Sequence, residues 1–112
     1  LNPFRAKQEI LEINDLGNGK VLFRAKVEVE NNAGVDLENV SVNMIVPVNG
    51  TVQGIDLKGK KNSEFSGFRQ EVNGGILFAR FRVPMLLRGV TEEYELDYEV
   101  NDVEGFALVL LE

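Results

Sequence analysis

Residues 20–30 read KVLFRAKVEVE, and their spacing decides the fold. Val21, Phe23, Ala25, Val27 and Val29 fall on every second position, with polar or charged residues between them except at Leu22. Successive strand side chains point to opposite faces, so this alternation gives one buried and one wet face. Wound as a helix, the same five residues would scatter around the axis and leave no apolar stripe. The stretch is a half-buried β-strand.

The period of two returns on either side. In VSVNMIV, Val40, Val42, Met44 and Val46 share a face. In EYELDYEV, Tyr94, Leu96, Tyr98 and Val100 share one, opposite Glu93, Glu95, Asp97 and Glu99. Asn18-Gly19, Asn49-Gly50 and Asn73-Gly74 supply residues that tolerate positive φ, and read as turns. Further strands are expected near residues 8–14, 51–57, 65–72, 76–83 and 106–111. Pro47 and Pro84 lack a ladder donor and belong at strand ends or edges. The pattern predicts an all-β chain, an immunoglobulin-like two-sheet antiparallel sandwich of about seven to eight strands. At 112 residues it fits a single domain over 1–112, and its start at Leu1 rather than Met suggests excision from a larger protein.

Composition narrows the function by exclusion. Eighteen acidic against twelve basic side chains give a net charge of −6, which repels phosphate backbones and argues against nucleic acid as a partner. Lys58, Lys60 and Lys61 form the densest basic group, read as a solvated loop because no aromatic is interleaved. With no Cys and no His, the chain lacks disulfides, thiolate and imidazole metal ligands, Cys or His nucleophiles and the commonest general base. No apolar run approaches the roughly 20 residues needed to span a bilayer, so no direct membrane insertion is expected.

The carboxylates at residues 93, 95, 97 and 99 lie on one strand face, where they read as a solvated stripe that also discourages edge-to-edge aggregation. Glycosidase chemistry would need two carboxylates from separate elements across a cleft. Asn101, Asp102 and Glu104 before Gly105 are the best calcium candidate, but the spacing matches no calcium loop and a turn explains it as well. No phosphate-binding glycine motif and no nucleophile elbow is present. Asn39-Val40-Ser41 and Asn49-Gly50-Thr51 match the N-glycosylation acceptor pattern. Four aromatics remain as a candidate partner surface: Phe65, Phe68, Phe78 and Phe81. Because Phe78 and Phe81 differ in strand parity, both can face one core only across a bulge, and otherwise one is displayed. No catalytic residue, cofactor site or metal site is expected.

The run VEVENNAGVDLENVSVNMIVP, residues 27–47, resembles the early strands of CARDB modules, cell-adhesion-related domains of bacterial and archaeal surface proteins. FRVPMLLRGVTEEYELDYEV, residues 81–100, is similar to their second signature, a Leu and Gly turn before an alternating strand. The resemblance implies an extracytoplasmic location and a non-catalytic role in interaction, adhesion or spacing, with other surface domains or proteins as partners. Two alternatives stand beside it: a carbohydrate-binding or accessory domain of a secreted enzyme, and an adaptor-like domain that binds peptides along a sheet edge.

Overall fold

Every regular element among the described residues is a strand. The computed structural model describes residues 4–58, 65–70 and 75–104, with side-chain surroundings for 4–53 and 75–104. The strands are β1 (Phe4–Gly17), β2 (Lys20–Asn31), β3 (Leu37–Ile45), β4 (Thr51–Lys58), β5 (Phe65–Gln70), β6 (Ile76–Leu86) and β7 (Thr91–Asn101). A four-stranded sheet has the order β1-β2-β7-β4, and a three-stranded sheet the order β3-β6-β5. All pairings are antiparallel, and the two sheets enclose the core as a β-sandwich. The strand expected at 106–111 and the Asn73-Gly74 turn lie outside the described residues.

The face assigned from KVLFRAKVEVE is the one that is buried. Val21, Phe23, Ala25, Val27 and Val29 are enclosed, as are Val42 and Met44 of β3 and Tyr94, Leu96, Tyr98 and Val100 of β7. Phe23 stacks on its register partner Tyr98 at 5.1 Å, and Phe81 of the opposite sheet meets Tyr94 at 5.2 Å, which links the two sheets through an aromatic contact. Side chains of this size each contribute about 1.5–3 kcal/mol of burial, so this alternating face is the main source of stability.

Local chemistry sets the connections. Asn18 and Gly19 both have positive φ, 54° and 75°, and close a two-residue hairpin between Gly17 and Lys20, as a turn matched to strand twist requires. Asn49-Gly50 instead lies where the chain crosses from the three-stranded to the four-stranded sheet. A Cβ on Gly50 would stand 2.4 Å from the Asn101 carbonyl oxygen and 2.7 Å from Val100 Cγ1, so this glycine is set by close approach. Pro84 lies near the end of β6, beyond the last residue paired with β5 and opposite Asn39, whose φ is +52°. There β3 and β6 change parity together: Val40 and Val83 face the core on one side of the defect, Leu37 and Leu86 on the other, while Glu38 and Met85 are exposed.

A bulge in β1 does similar work. Ile10 and Ile13 have opposite parity in sequence, yet both pack against the core, because Leu11 is an extra residue between the register pairs Ile10↔Ala25 and Glu12↔Arg24. Leu11 itself is exposed.

Candidate functional site

β7 occupies the interior of its sheet, between β2 and β4, so its acidic stripe protects no edge. Instead the stripe takes part in a charged lattice that covers the outer face. Arg24 of β2 lies opposite Asp97 and beside Glu12, its register partner on β1. Its Nε donates to Asp97 Oδ1 at 3.1 Å and stands 3.8 Å from Glu95, while Nη1 is 3.5 Å from Glu12. The hydrogen bond to Asp97, together with the charges of Asp97, Glu12 and Glu95, raises the guanidinium pKa further above its ordinary value. Lys26 pairs with Glu9 at 3.7 Å. These groups are substantially solvated, so the lattice contributes little to stability and mainly sets the charge of the face.

The second cluster is Asn31, at the end of β2. It continues the buried parity of Val21 to Val29 and is fully enclosed. Its Nδ2 donates to the carbonyl oxygens of Val35 and Leu86, each at 2.9 Å, and its Oδ1 accepts from the Ala33 amide at 2.9 Å. Its own N–H donates to Val90 O, and its carbonyl accepts from the Gly89 amide. One residue thereby joins the 32–36 loop, the end of β6 and the 87–90 turn, and Asp36 adds a carboxylate that accepts from the Arg88 amide. The two sequence stretches that carry the resemblance meet here.

A third polar device spans the two sheets. Gln8 occupies a core-parity position of β1, where its Nε2 donates to Ile45 O at 2.8 Å and its Oε1 accepts from the Ile45 amide at 2.9 Å. A side-chain amide here does for Ile45 what a neighbouring strand would do, and it ties β1 to β3 along one side of the sandwich. Neither Asn31 nor Gln8 stands out in the sequence, yet a signal exists: each is an amide side chain at a core-parity position, and where such an amide is enclosed, as at Asn31, it demands partners.

Of the four aromatics taken as a candidate partner surface, the side chains of two are described, and these face opposite sides of β6. Phe81 is fully buried in the core and cannot contribute to such a surface. Phe78, of opposite parity, is half-buried on the outer face of the three-stranded sheet. Phe65 and Phe68 take register positions opposite Phe81 and Phe78, and their side chains lie outside the described residues. Parity alone explains the split, since β6 carries no bulge between residues 78 and 81.

Tyr94 donates to Glu92, and burial first, then this hydrogen bond and the carboxylate charge, raise its pKa. Burial alone raises that of Tyr98. Among the described residues no group of three or more Asp and Glu converges on a point that could hold a metal ion. In the 101–104 segment, Asp102 adopts positive φ and the Val103 amide donates to Gly19 O at 3.0 Å, which docks this turn on the β1–β2 hairpin. No family model, no curated protein and no solved structure matches the chain.

Proposed function

We propose that this chain is a non-catalytic spacer and interaction module of a cell-surface or secreted protein. The observation that carries the reading is that, among the described residues, the first and the last strand of the four-stranded sheet begin and finish at its opposite ends. Phe4 opens β1 beside Asn31 at one end, whereas β7 finishes at the other, where Val103 bonds to Gly19. The twelve-residue β2 runs between these ends and covers roughly 40 Å at about 3.3 Å per residue, close to the 45 Å long axis of the molecule. Attachment points at the opposite ends of such a sheet suit modules that string together lengthwise.

The same geometry favours mechanical strength. Tension applied at Phe4 and Val103 acts along β1 and β7, and the β2 ladders on either side resist it in shear, so many hydrogen bonds must fail together. The CARDB-like and immunoglobulin-like assignments belong to this proposal and rest on the two signature stretches that converge at Asn31. They do not rest on strand order, since the second strand of an immunoglobulin sheet neighbours the fifth, whereas β2 neighbours β7. A glycan-binding role finds no support from tyrosine, because Tyr94 and Tyr98 are both in the core.

Force spectroscopy tests the reading. The chain contains no Cys, so handles introduced as Arg5→Cys with Glu104→Cys load the sheet in shear, and Arg5→Cys with Asn32→Cys peel β1 from β2. The shear pair is expected to resist a clearly higher force. Equal forces, or a parent gene with neither an export signal nor neighbouring surface domains, would end the proposal.

A further inference from the structure

β1 is one of the two edge strands of the four-stranded sheet, and among the described residues it pairs with β2 alone. One row of its backbone N–H and C=O groups therefore faces away from the sheet, over a strand of 14 residues with no Pro within it. Such a row is a template for another strand. Before the Leu11 bulge the strand is regular from Phe4 to Ile10.

The charge order along this strand is what identifies the occupant. The outer-face positions of β1 hold Arg5, Lys7, Glu9 and Glu12, all exposed: two cations followed by two anions. On its inner flank β2 answers with Glu30, Glu28, Lys26 and Arg24 in register. A second β1, laid antiparallel on the outer flank and centred on Gln8, presents Glu12, Glu9, Lys7 and Arg5 in the same places once the Leu11 bulge is passed. The copy thus reproduces the sign sequence that β1 already pairs with. Its core-parity residues match as well, Ala6 meeting Ile10 and Phe4 meeting Ile13.

We propose that two copies of this chain dock β1 against β1 about a two-fold axis through Gln8, joining their four-stranded sheets into one continuous sheet. Symmetry and chemistry single out this register. A two-fold antiparallel pair must be centred on a residue, since a one-residue slip would oppose a group that points outward with one that points inward. Centring on Lys7 sets Lys7 against its own copy, and centring on Glu9 does the same for Glu9. Centring on Ala6 opposes Arg5 with Lys7, and centring on Ile10 opposes Glu9 with Glu12. Only the Gln8 centre gives opposite charges at every outer pair. The proposal is independent of the spacer reading.

Sedimentation velocity on the whole chain over a concentration series tests it, with far-ultraviolet circular dichroism to show that each variant is folded. The wild type is expected to show a monomer–dimer equilibrium that weakens with added salt. Lys7→Glu places like charges at both central pairs and should weaken self-association by about tenfold or more, as should Glu9→Lys. Mixed in equal amounts, the two variants regain opposite charges at both central pairs and should form a heterodimer that neither forms alone. A wild type that stays monomeric at its highest soluble concentration overturns the proposal. So does undiminished self-association of Lys7→Glu, or a mixture that shows no heterodimer.

Discussion

Substitution of Asn31 by Asp tests how the end of the sandwich is held. The change is almost isosteric, so it leaves packing alone and alters only hydrogen bonding and charge. It replaces the amino group that donates to Val35 O and Leu86 O with an oxygen that can only repel those carbonyls when ionised. A hydrogen bond contributes about 1 kcal/mol net, and a buried carbonyl left without a donor costs about 1–3 kcal/mol. Two lost bonds, together with repulsion in a fully enclosed site, set the expected loss at about 3–5 kcal/mol near neutral pH. For a domain of this size that is a fall of roughly 4 °C in Tm per kcal/mol.

The effect carries a sign in pH. Burial beside two carbonyls raises the pKa of the new carboxyl above its unfolded value of about 3.9, so the folded state holds the proton more tightly. Stability then declines as pH rises from the unfolded pKa through the folded one, by about 1.4 kcal/mol for every tenfold by which folding tightens proton binding. The gap between Asn31→Asp and wild type should be smallest near pH 4 and widest near neutrality, as read by urea unfolding of both proteins at each pH. Asn32→Asp is the control: the same chemistry one residue along, exposed, and expected to cost less than about 0.5 kcal/mol. If Asn31→Asp lost under about 1 kcal/mol at neutral pH, with no pH dependence of the difference, the hub would not hold the corner.

Three further outcomes follow from single features. The chain has only two tyrosines, both buried and both with raised pKa, so tyrosinate absorbance should stay flat through about pH 10 and appear in one step with unfolding; their contribution to stability is intact below that pH and lost above it. Two separate titrations in the folded protein would contradict this. Gly50→Ala drives a methyl into the Asn101 carbonyl and Val100, and thermal denaturation should register a loss of about 1–3 kcal/mol, against less than that for an exposed substitution such as Lys20→Ala. Gln8→Ala removes both partners of the Ile45 peptide at a cost of about 1 kcal/mol, because the site is open to water; hydrogen exchange should speed up at the Ile45 amide and leave Val27 unchanged.

The residues most legible in the sequence are those governed by a rule that acts on the chain locally. Alternation puts Val21, Phe23, Met44 and Tyr98 in the core because a strand's side chains have no other option than to alternate. The Asn18-Gly19 hairpin is legible for the same reason, since positive φ at both central residues is a property of two adjacent residues. Strand order is not, because a crossing such as 46–50 looks in sequence like any other Pro and Gly turn, and only packing decides which sheet receives the next strand. That is why the stripe on β7 reads in sequence as an edge guard, although the strand lies in the sheet interior. Parity at Phe78 and Phe81 allows two outcomes, and the absence of a bulge between them in β6 selects the one in which Phe81 is core. Ile10 and Ile13 go the other way through the Leu11 bulge, and no local residue type distinguishes the two cases.

Gln8 and Asn31 show what alternation alone leaves undone. A sandwich built only from apolar faces has no preferred sliding position between its sheets, because burial depends on area and hardly on direction. Directional bonds remove that freedom. Gln8 fixes β1 against β3 along one side, and Asn31 fixes β2 against β6 and the following turn at one end, so sliding the sheets would break bonds at both places. The two amides also sit at unequal exposure, Asn31 sealed and Gln8 wet, which assigns them different work: the first holds the corner at a large cost if disturbed, and the second satisfies an edge peptide at a small one. By engaging Ile45, Gln8 covers a stretch of the β3 edge with its side chain, while among the described residues the backbone of β1, the strand it belongs to, pairs with β2 alone.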